Sequence, residues 1–145
     1  MGCCGYRCES CPAFRATKDG DEAALERCGA AWETLFGRRA EPGKLKCDGC
    51  YHVSGRKADP DCPVRPCCRE KGYITCAECP SYPCNLLEPR FVLRAEIEAR
   101  LGHALDEETY RVYVRPLENR ARLDGIRKRF GAQAGQAAGG EDPET

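Results

Sequence analysis

Apolar side chains are spaced unevenly along this chain, and their spacing divides it into two parts. From Asp21 the pattern is helical, with Leu25, Cys28, Trp32, Leu35 and Phe36 on one face. Asp21 and Glu22 suit a helix N-terminus and Gly37 ends the run, which predicts a helix over about 21–36. A shorter helix is expected around Ala13–Lys18, stopped by Asp19-Gly20. Residues 37–61 read as loop, with Pro42-Gly43 and a polar stretch from Ser54 to Asp61. Cys62–Cys84 is punctuated by proline and has room for one helical turn near Cys67–Lys71. Beyond it, Leu93, Ile97 and Leu101 form a stripe, Asp106 can cap a further helix and Pro116 interrupts that helix. Leu123, Ile126 and Phe130 then face one way, and the small polar tail 132–145 is expected to be disordered.

The first part is poor in core-forming residues. Up to Cys84 its large aliphatics are Leu25, Leu35, Leu45, Val53, Val64 and Ile74, joined by Trp32 and a few aromatics. Domains with so weak a core are usually held by disulfides or metal. The cross-linking chemistry is present as 13 cysteines, all between residues 3 and 84. An odd count leaves at least one thiol out of any disulfide scheme. The adjacent pairs Cys3-Cys4 and Cys67-Cys68 are too close to bridge within themselves. The opening MGCCGYRCESC lacks the apolar run of a signal peptide, so the expected setting is a reducing cytoplasm with metal-bound thiolates. No apolar run approaches a membrane span.

Four constellations carry the chemistry: Cys4-x3-Cys8-x2-Cys11-Pro12, Cys47-Asp48-Gly49-Cys50, Cys62-Pro63-x3-Cys67-Cys68 and Cys76-x2-Cys79-Pro80-x3-Cys84. A C-x2-C turn lets two thiolates reach one metal ion. Tetrahedral sulfur sites suit Zn²⁺ and also iron–sulfur clusters. Separated knuckles favour zinc, while proline after Cys11, Cys62 and Cys79 is the feature shared with iron–sulfur motifs. Cys4-x3-Cys8-x2-Cys11 also has radical-SAM spacing, but the chain has neither the length nor the alternating strands and helices of such a barrel.

Three cysteines stand outside these sets. Cys28 lies on the apolar face of the first long helix and reads as core. Cys3 and Cys68 each neighbour a candidate ligand. Arg65, Arg69 and Lys71 near Cys68 would lower its pKa, and it reads as an exposed bystander. His52, after the second knuckle, is a candidate substitute ligand, whereas His103 reads as a capping or solvent residue. Asp48 and Asp61 adjoin ligand segments and serve turns. No residue is assigned to catalysis or to any cofactor other than the metal.

Charge adds one exclusion. The net charge is formally zero, with 13 Lys/Arg against 12 Asp/Glu up to Cys84. Eight thiolates around two Zn²⁺ would add about −4 to that part, and such a body does not attract a phosphate backbone. The C-terminal basic residues Arg111, Arg115, Arg120, Arg122, Arg127, Lys128 and Arg129 are offset by acids, and no aromatic stacking platform accompanies them. The last three complement a helix C-terminus.

These motifs resemble the DUF3795 family of bacterial and archaeal proteins. The resemblance is carried by Cys4-Gly5-Tyr6-x-Cys8-x-x-Cys11-Pro12-Ala13-Phe14-x-Ala16-Thr17, by Trp32, and by Cys47-Asp48-Gly49-Cys50. It continues through Cys62-x-Val64-Arg65-x-Cys67 and Cys76-Ala77-Glu78-Cys79-x-x-Tyr82-Pro83-Cys84-x-Leu86, and covers about residues 3–130. It implies a metal-binding protein, presumed zinc, with no established activity. It supports Cys4, Cys8, Cys11, Cys47, Cys50, Cys62, Cys67, Cys76, Cys79 and Cys84 as the metal set and leaves out Cys3, Cys28 and Cys68. Where the family often has a further cysteine before Cys62, this chain has Asp59-Pro60-Asp61, so one ligand is either missing or replaced by a carboxylate or His52.

The expected architecture is a small, mostly α, irregular, metal-stabilised Cys-rich domain over 1–84. A helical C-terminal extension, 85–131, packs on it and the tail 132–145 follows. Cys4, Cys8 and Cys11 are expected to join one late cysteine, and Cys47 and Cys50 a pair from Cys62–Cys84. Trp32 and Phe36 then pack on the metal-pinned loops. The expected function is a cytoplasmic zinc-binding structural or adaptor module with a protein partner, metal binding being coupled to folding. An iron–sulfur redox or electron-transfer protein is the alternative. A metal-dependent enzyme comes third, because closed thiolate sites leave no position for water.

Overall fold

Two helices with defined caps at the glycine-ended turns organise the first part. In this computed structural model, residues 1–37 and 41–141 are described, with side chains through 130 apart from residue 42. Helix α1 is Pro12–Asp19, with proline in the first turn, where its missing N–H has no intrahelical partner to lose. The Gly20 N–H closes it onto the carbonyls of Ala16 and Thr17. Helix α2 is Glu22–Phe36; Asp21 caps it by accepting from the Ala24 N–H at 3.0 Å. Both lie within a residue or so of the spans that periodicity predicts. Residues 38–40 of the expected loop lie outside the described residues.

The short α3 (Pro42–Leu45) delivers Leu45 into a buried cluster with Ala13, Ala16, Leu25 and Cys28. Helix α4 (Val64–Lys71) begins earlier than the turn expected near Cys67. Pro66 does not block it, because N–H groups of a first turn lack intrahelical partners anyway. Among the described residues there is helix and turn but no strand, and no helix long and apolar enough to cross a membrane.

The C-terminal layer comprises α5 (Arg94–Leu101), α6 (Glu107–Thr109) and α7 (Arg120–Glu141). Asp106 caps α6, accepting from the Thr109 N–H and hydroxyl at 2.8 Å each. The chain runs on as a π-helical turn, Tyr110–Val114, and a 3-10 turn, Arg115–Leu117, that holds Pro116. Helix α7 extends to Glu141, into the tail expected over 132–145, and residues 142–145 lie outside the described residues. Arg127, Lys128 and Arg129 therefore sit inside this helix, not at its C-terminus as expected.

Two packing expectations change. Phe36 packs with Leu35, Ile97, Leu105 and Val114, against the C-terminal layer and not against the cysteine loops. Trp32 touches both that cluster and the one around Leu25, and its indole N–H donates to the Tyr113 carbonyl at 3.2 Å. The apolar face of α2 is long enough to meet two neighbours in succession. At the other end of the stripe on α7, Leu123 is fully buried and Ile126 packs beside it, but Phe130 is 45 % exposed. Val53 and Ile74 are also at the surface, so the first part has even less core than its sequence offers.

The C-terminal layer locks onto the first cysteine loop. The buried Asn119 donates to the carbonyls of Cys4 at 2.7 Å and Arg90 at 3.1 Å, and accepts from the Val92 N–H at 3.1 Å. Its whole amide is thus satisfied, as burial requires. Gly5 lies beneath Leu123 with φ +89°, and a Cβ there would stand 2.8 Å from Leu123 Cγ. Only glycine combines that backbone with that approach.

Candidate metal centre

Two of the three C-x2-C knuckles have one shape. Cys8–Ser10 and Cys76–Glu78 are 3-10 turns, closed by the Cys11 N–H on the Cys8 carbonyl at 3.0 Å and by the Cys79 N–H on the Cys76 carbonyl at 3.1 Å. Cys11 and Cys79 then turn extended, at ψ 127° and ψ 131°. Each precedes a proline, whose ring disfavours helical backbone in the residue before it. The third knuckle, Cys47–Cys50, is built otherwise. Gly49 takes φ +93° with the Phe14 ring 3.5 Å from where a Cβ would lie, so a side chain is excluded there by backbone and contact together.

The fold sorts the cysteines into two groups. In the first, the sulfurs of Cys8 and Cys50 flank one point, 3.5 and 3.6 Å from a Cβ placed on Gly2. Cys11 lies in the electrostatic field of Cys47 and Cys50. The second group, Cys67, Cys76, Cys79 and Cys84, lines a cavity of about 30 Å³ together with Cys68. Cys4 and Cys62 lie between them: Cys4 feels Cys50, Cys62 and Cys76, and both belong to the core cluster around Leu87 and Leu123. The expected grouping set Cys47 and Cys50 with a pair from Cys62–Cys84, whereas here Cys50 lies beside Cys8. Cys47 and Cys50 sit with Cys8 and Cys11 because α1, α2 and α3 fold that loop back, through the Cys47 N–H donating to Thr17 Oγ1 at 2.9 Å. Among the described residues no three His, Cys, Asp or Glu side chains converge closely enough to hold a metal ion as they stand.

Burial dominates the protonation of these thiols. It pushes Cys4 and Cys76 up to about 12 and Cys11 up to about 11, with neighbouring cysteines adding to the effect. Cys50 moves the other way. A hydrogen bond with Cys8 lowers it, and the Arg65 guanidinium at 4.0 Å lowers it further. That same hydrogen bond is the first cause raising Cys8. Lys71 stands 3.8 Å from the Cys79 sulfur in the second group. Sequence reasoning missed both cations as parts of the sites. Arg65 was visible in the Cys62-x-Val64-Arg65 motif, but its reach to Cys50 depends on the fold.

The remaining candidates differ in where they lie, and Cys68 alone of them stands among the second group, in contact with Cys3 and Cys76. Cys28 is fully buried in the α1–α2 cluster. Cys68 is 3 % exposed, and its thiol donates to the Tyr73 carbonyl at 3.1 Å. It is therefore no exposed bystander, and burial raises its pKa where the basic neighbours in sequence pointed downward. His52 folds against Gly55 and Asp48 at the surface, not into either group. Asp48 serves its turn: it accepts from the Arg56 N–H at 2.6 Å and from the guanidinium at 3.0 and 3.2 Å, which hold its carboxyl down to about 2. Asp59 pairs with Arg90 and Asp61 is exposed, so neither carboxylate replaces a missing cysteine at the sulfurs.

The donor chemistry fits a metal such as zinc. Each group has two C-x2-C or near-sequence thiols from separate turns, with one cation beside it to offset excess thiolate charge. The fold and these groups define a small, mostly helical, cysteine-rich protein. The chain belongs to the DUF3795 family, described as proteins of unknown function, whose family model matches residues 1–89. That match stops short of residue 130, the reach suggested by the motifs, and leaves most of the C-terminal layer outside it. No curated protein and no solved structure matches the chain.

Proposed function

We propose that this protein is a zinc-binding structural module in which Cys8, Cys11, Cys47 and Cys50 hold one ion and Cys67, Cys76, Cys79 and Cys84 a second. The observation that supports this reading is the nearness of Cys8 and Cys11 to Cys47 and Cys50, and of Cys67, Cys76, Cys79 and Cys84 to one another. Cys4 and Cys62 are then the two of the ten that tetrahedral sites do not need. Each cysteine sulfur turns on a single torsion, and changing its rotamer moves the sulfur by about 3 Å. Zinc would supply charge neutralisation and cross-linking in place of an apolar core. As an adaptor, the pinned loops would present a rigid surface to a protein partner.

The test is elemental analysis with a visible spectrum on protein purified anaerobically without added metal. About two equivalents of zinc, no visible band, and about one equivalent lost in each of Cys50→Ser and Cys79→Ser support the proposal. Iron with acid-labile sulfide and a brown band near about 400 nm would replace it with the iron–sulfur reading favoured by the prolines after Cys11, Cys62 and Cys79.

A further inference from the structure

A second cavity lies away from the sulfur groups. It is a groove of about 830 Å³ between the Arg7–Ser10 loop with α1 and α2 on one side and residues 108–116 on the other. Five guanidinium groups line it: Arg7, Arg15, Arg27, Arg111 and Arg115. All are exposed, and none has an ion-pair partner or a side-chain hydrogen bond among the described residues. Three carboxylates, Asp19, Asp21 and Glu108, share the lining, and Asp21 is already engaged as the cap of α2. Cations thus outnumber acids, and the excess positive charge favours an incoming anion. The crowding reaches Arg122 beside the groove. Burial first, and then the Arg7 charge, hold it below the usual guanidinium value, while Glu9 and Glu118 act in the opposite sense.

The backbone of one wall gives an independent sign. Arg111, Val112 and Tyr113 stand on the π-helical turn Tyr110–Val114. Such single turns are rare and occur frequently at functional sites. The half-buried Tyr113 also lines the groove, and the Arg7 N–H donating to the Pro116 carbonyl at 2.8 Å ties the loop wall to the segment that follows the turn. The other wall, α1 and α2, lies within the family match, whereas residues 108–116 lie beyond it.

We propose that this groove binds a small phosphorylated ligand of nucleotide size, with its phosphates on the arginines and its ring against Tyr113. The volume lies within the usual range of small-molecule sites. The arginine fork matches phosphate oxygens in pairs, which a lysine patch would not do. The carboxylates among the arginines oppose a continuous phosphate backbone but leave room for one compact phosphate group. The proposal does not depend on which metal the cysteines hold.

Calorimetric titration of the protein as purified, with its metal, tests it against magnesium ATP, pyrophosphate, adenosine and a short single-stranded DNA. Magnesium ATP and pyrophosphate bind, more weakly as salt is added, and adenosine does not. Arg15→Gln with Arg111→Gln weakens magnesium ATP by about tenfold or more, with thermal unfolding unchanged. Arg27→Gln alone acts in the same direction, and Arg129→Gln, outside the groove, has no effect. Absence of binding by both phosphate compounds, adenosine binding as well as ATP, unchanged affinity in the arginine variants, or tighter binding of the DNA would each overturn the proposal.

Discussion

The two sulfur groups reach the same composition by different routes. The first joins Cys8 and Cys11 to Cys47 and Cys50 and so encloses α1, α2 and α3 in its loop. The second draws on one stretch, Cys67 to Cys84, and closes little more than the end of α4 and a turn. Closing a longer loop removes more freedom from the unfolded chain, so a cross-link in the first group restricts more. The surroundings differ in the same sense. Around the first, the buried side chains are Ala13, Ala16, Cys28, Leu25 and Leu45, mostly small. Around the second, Val64, Leu87 and Leu123 supply aliphatic burial, and Arg127 ties α7 to the carbonyls of Ala77 at 3.0 Å and Cys79 at 2.6 Å. On the proposed zinc reading, cross-linking would matter most where ordinary packing is thinnest.

Removing all metal has the largest expected effect. Binding of a structural zinc is worth about 10–16 kcal/mol in small peptides, comparable with the whole net stability of a domain. Chelation should therefore abolish cooperative unfolding and much of the α1–α2 helicity, read by circular dichroism and calorimetry. Helix content and thermal midpoint that survive chelation would show that the cysteine groups are ordinary thiols. Breaking the groups one at a time tests the comparison directly. Cys50→Ser should lower the thermal midpoint further than Cys79→Ser, because the second region keeps Leu87, Leu123 and Arg127 when its sulfurs fail. Equal losses, or a larger loss in Cys79→Ser, would overturn the argument from loop length and core.

Leu123→Ala comes next, at about 2–5 kcal/mol for a fully buried leucine. The side chain is 0 % exposed and covers Gly5 in the first cysteine loop, so the variant probes how much the second region owes to burial. A loss below about 1 kcal/mol, measured by denaturant titration, would mean that its aliphatic cluster is not what distinguishes it. Gly5→Ala approaches the same contact from below. Its positive φ and the 2.8 Å approach to Leu123 predict a loss of about 1–3 kcal/mol. If the two variants are additive in a double-mutant cycle, Gly5 and Leu123 do not share the strain assigned to them.

The helices were legible where local signals act alone. Asp21 and Gly37 bound α2, and Asp106 marks α6, because capping depends on a few neighbouring residues. Spacing also marks ten cysteines as candidates. Spacing does not say which of them lie together, since Cys47 comes near Cys11 only through the packing of α1 on α2. The polarity of Cys68 was misread for a related reason: its basic neighbours are close in sequence, but its thiol points to the Tyr73 carbonyl. The five arginines of the groove are scattered from residue 7 to residue 115, and no local pattern joins them. Val53 and Ile74 look like core in a list of residues, and only the fold shows them at the surface.

The smallest expected effect lies at the joint between the first region and the C-terminal layer. Trp32→Phe keeps an aromatic ring there but removes the N–H that donates to the Tyr113 carbonyl at 3.2 Å. A carbonyl left without that donor, in a partly buried place, costs about 1 kcal/mol, and the smaller ring adds a little. The variant should therefore fold, bind the same metal and unfold slightly earlier than the parent. Trp32 is also the one tryptophan of the chain, so its emission in the parent reports on this joint alone. If the first sulfur group is what holds α2 in place, chelation shifts that emission to the red in Cys79→Ser protein as fully as in the parent. The shift should already be present in Cys50→Ser before any chelator is added. An emission in Cys50→Ser that matches the metal-loaded parent would mean that Trp32, Phe36 and the C-terminal layer hold α2 by packing, with no help from the first group.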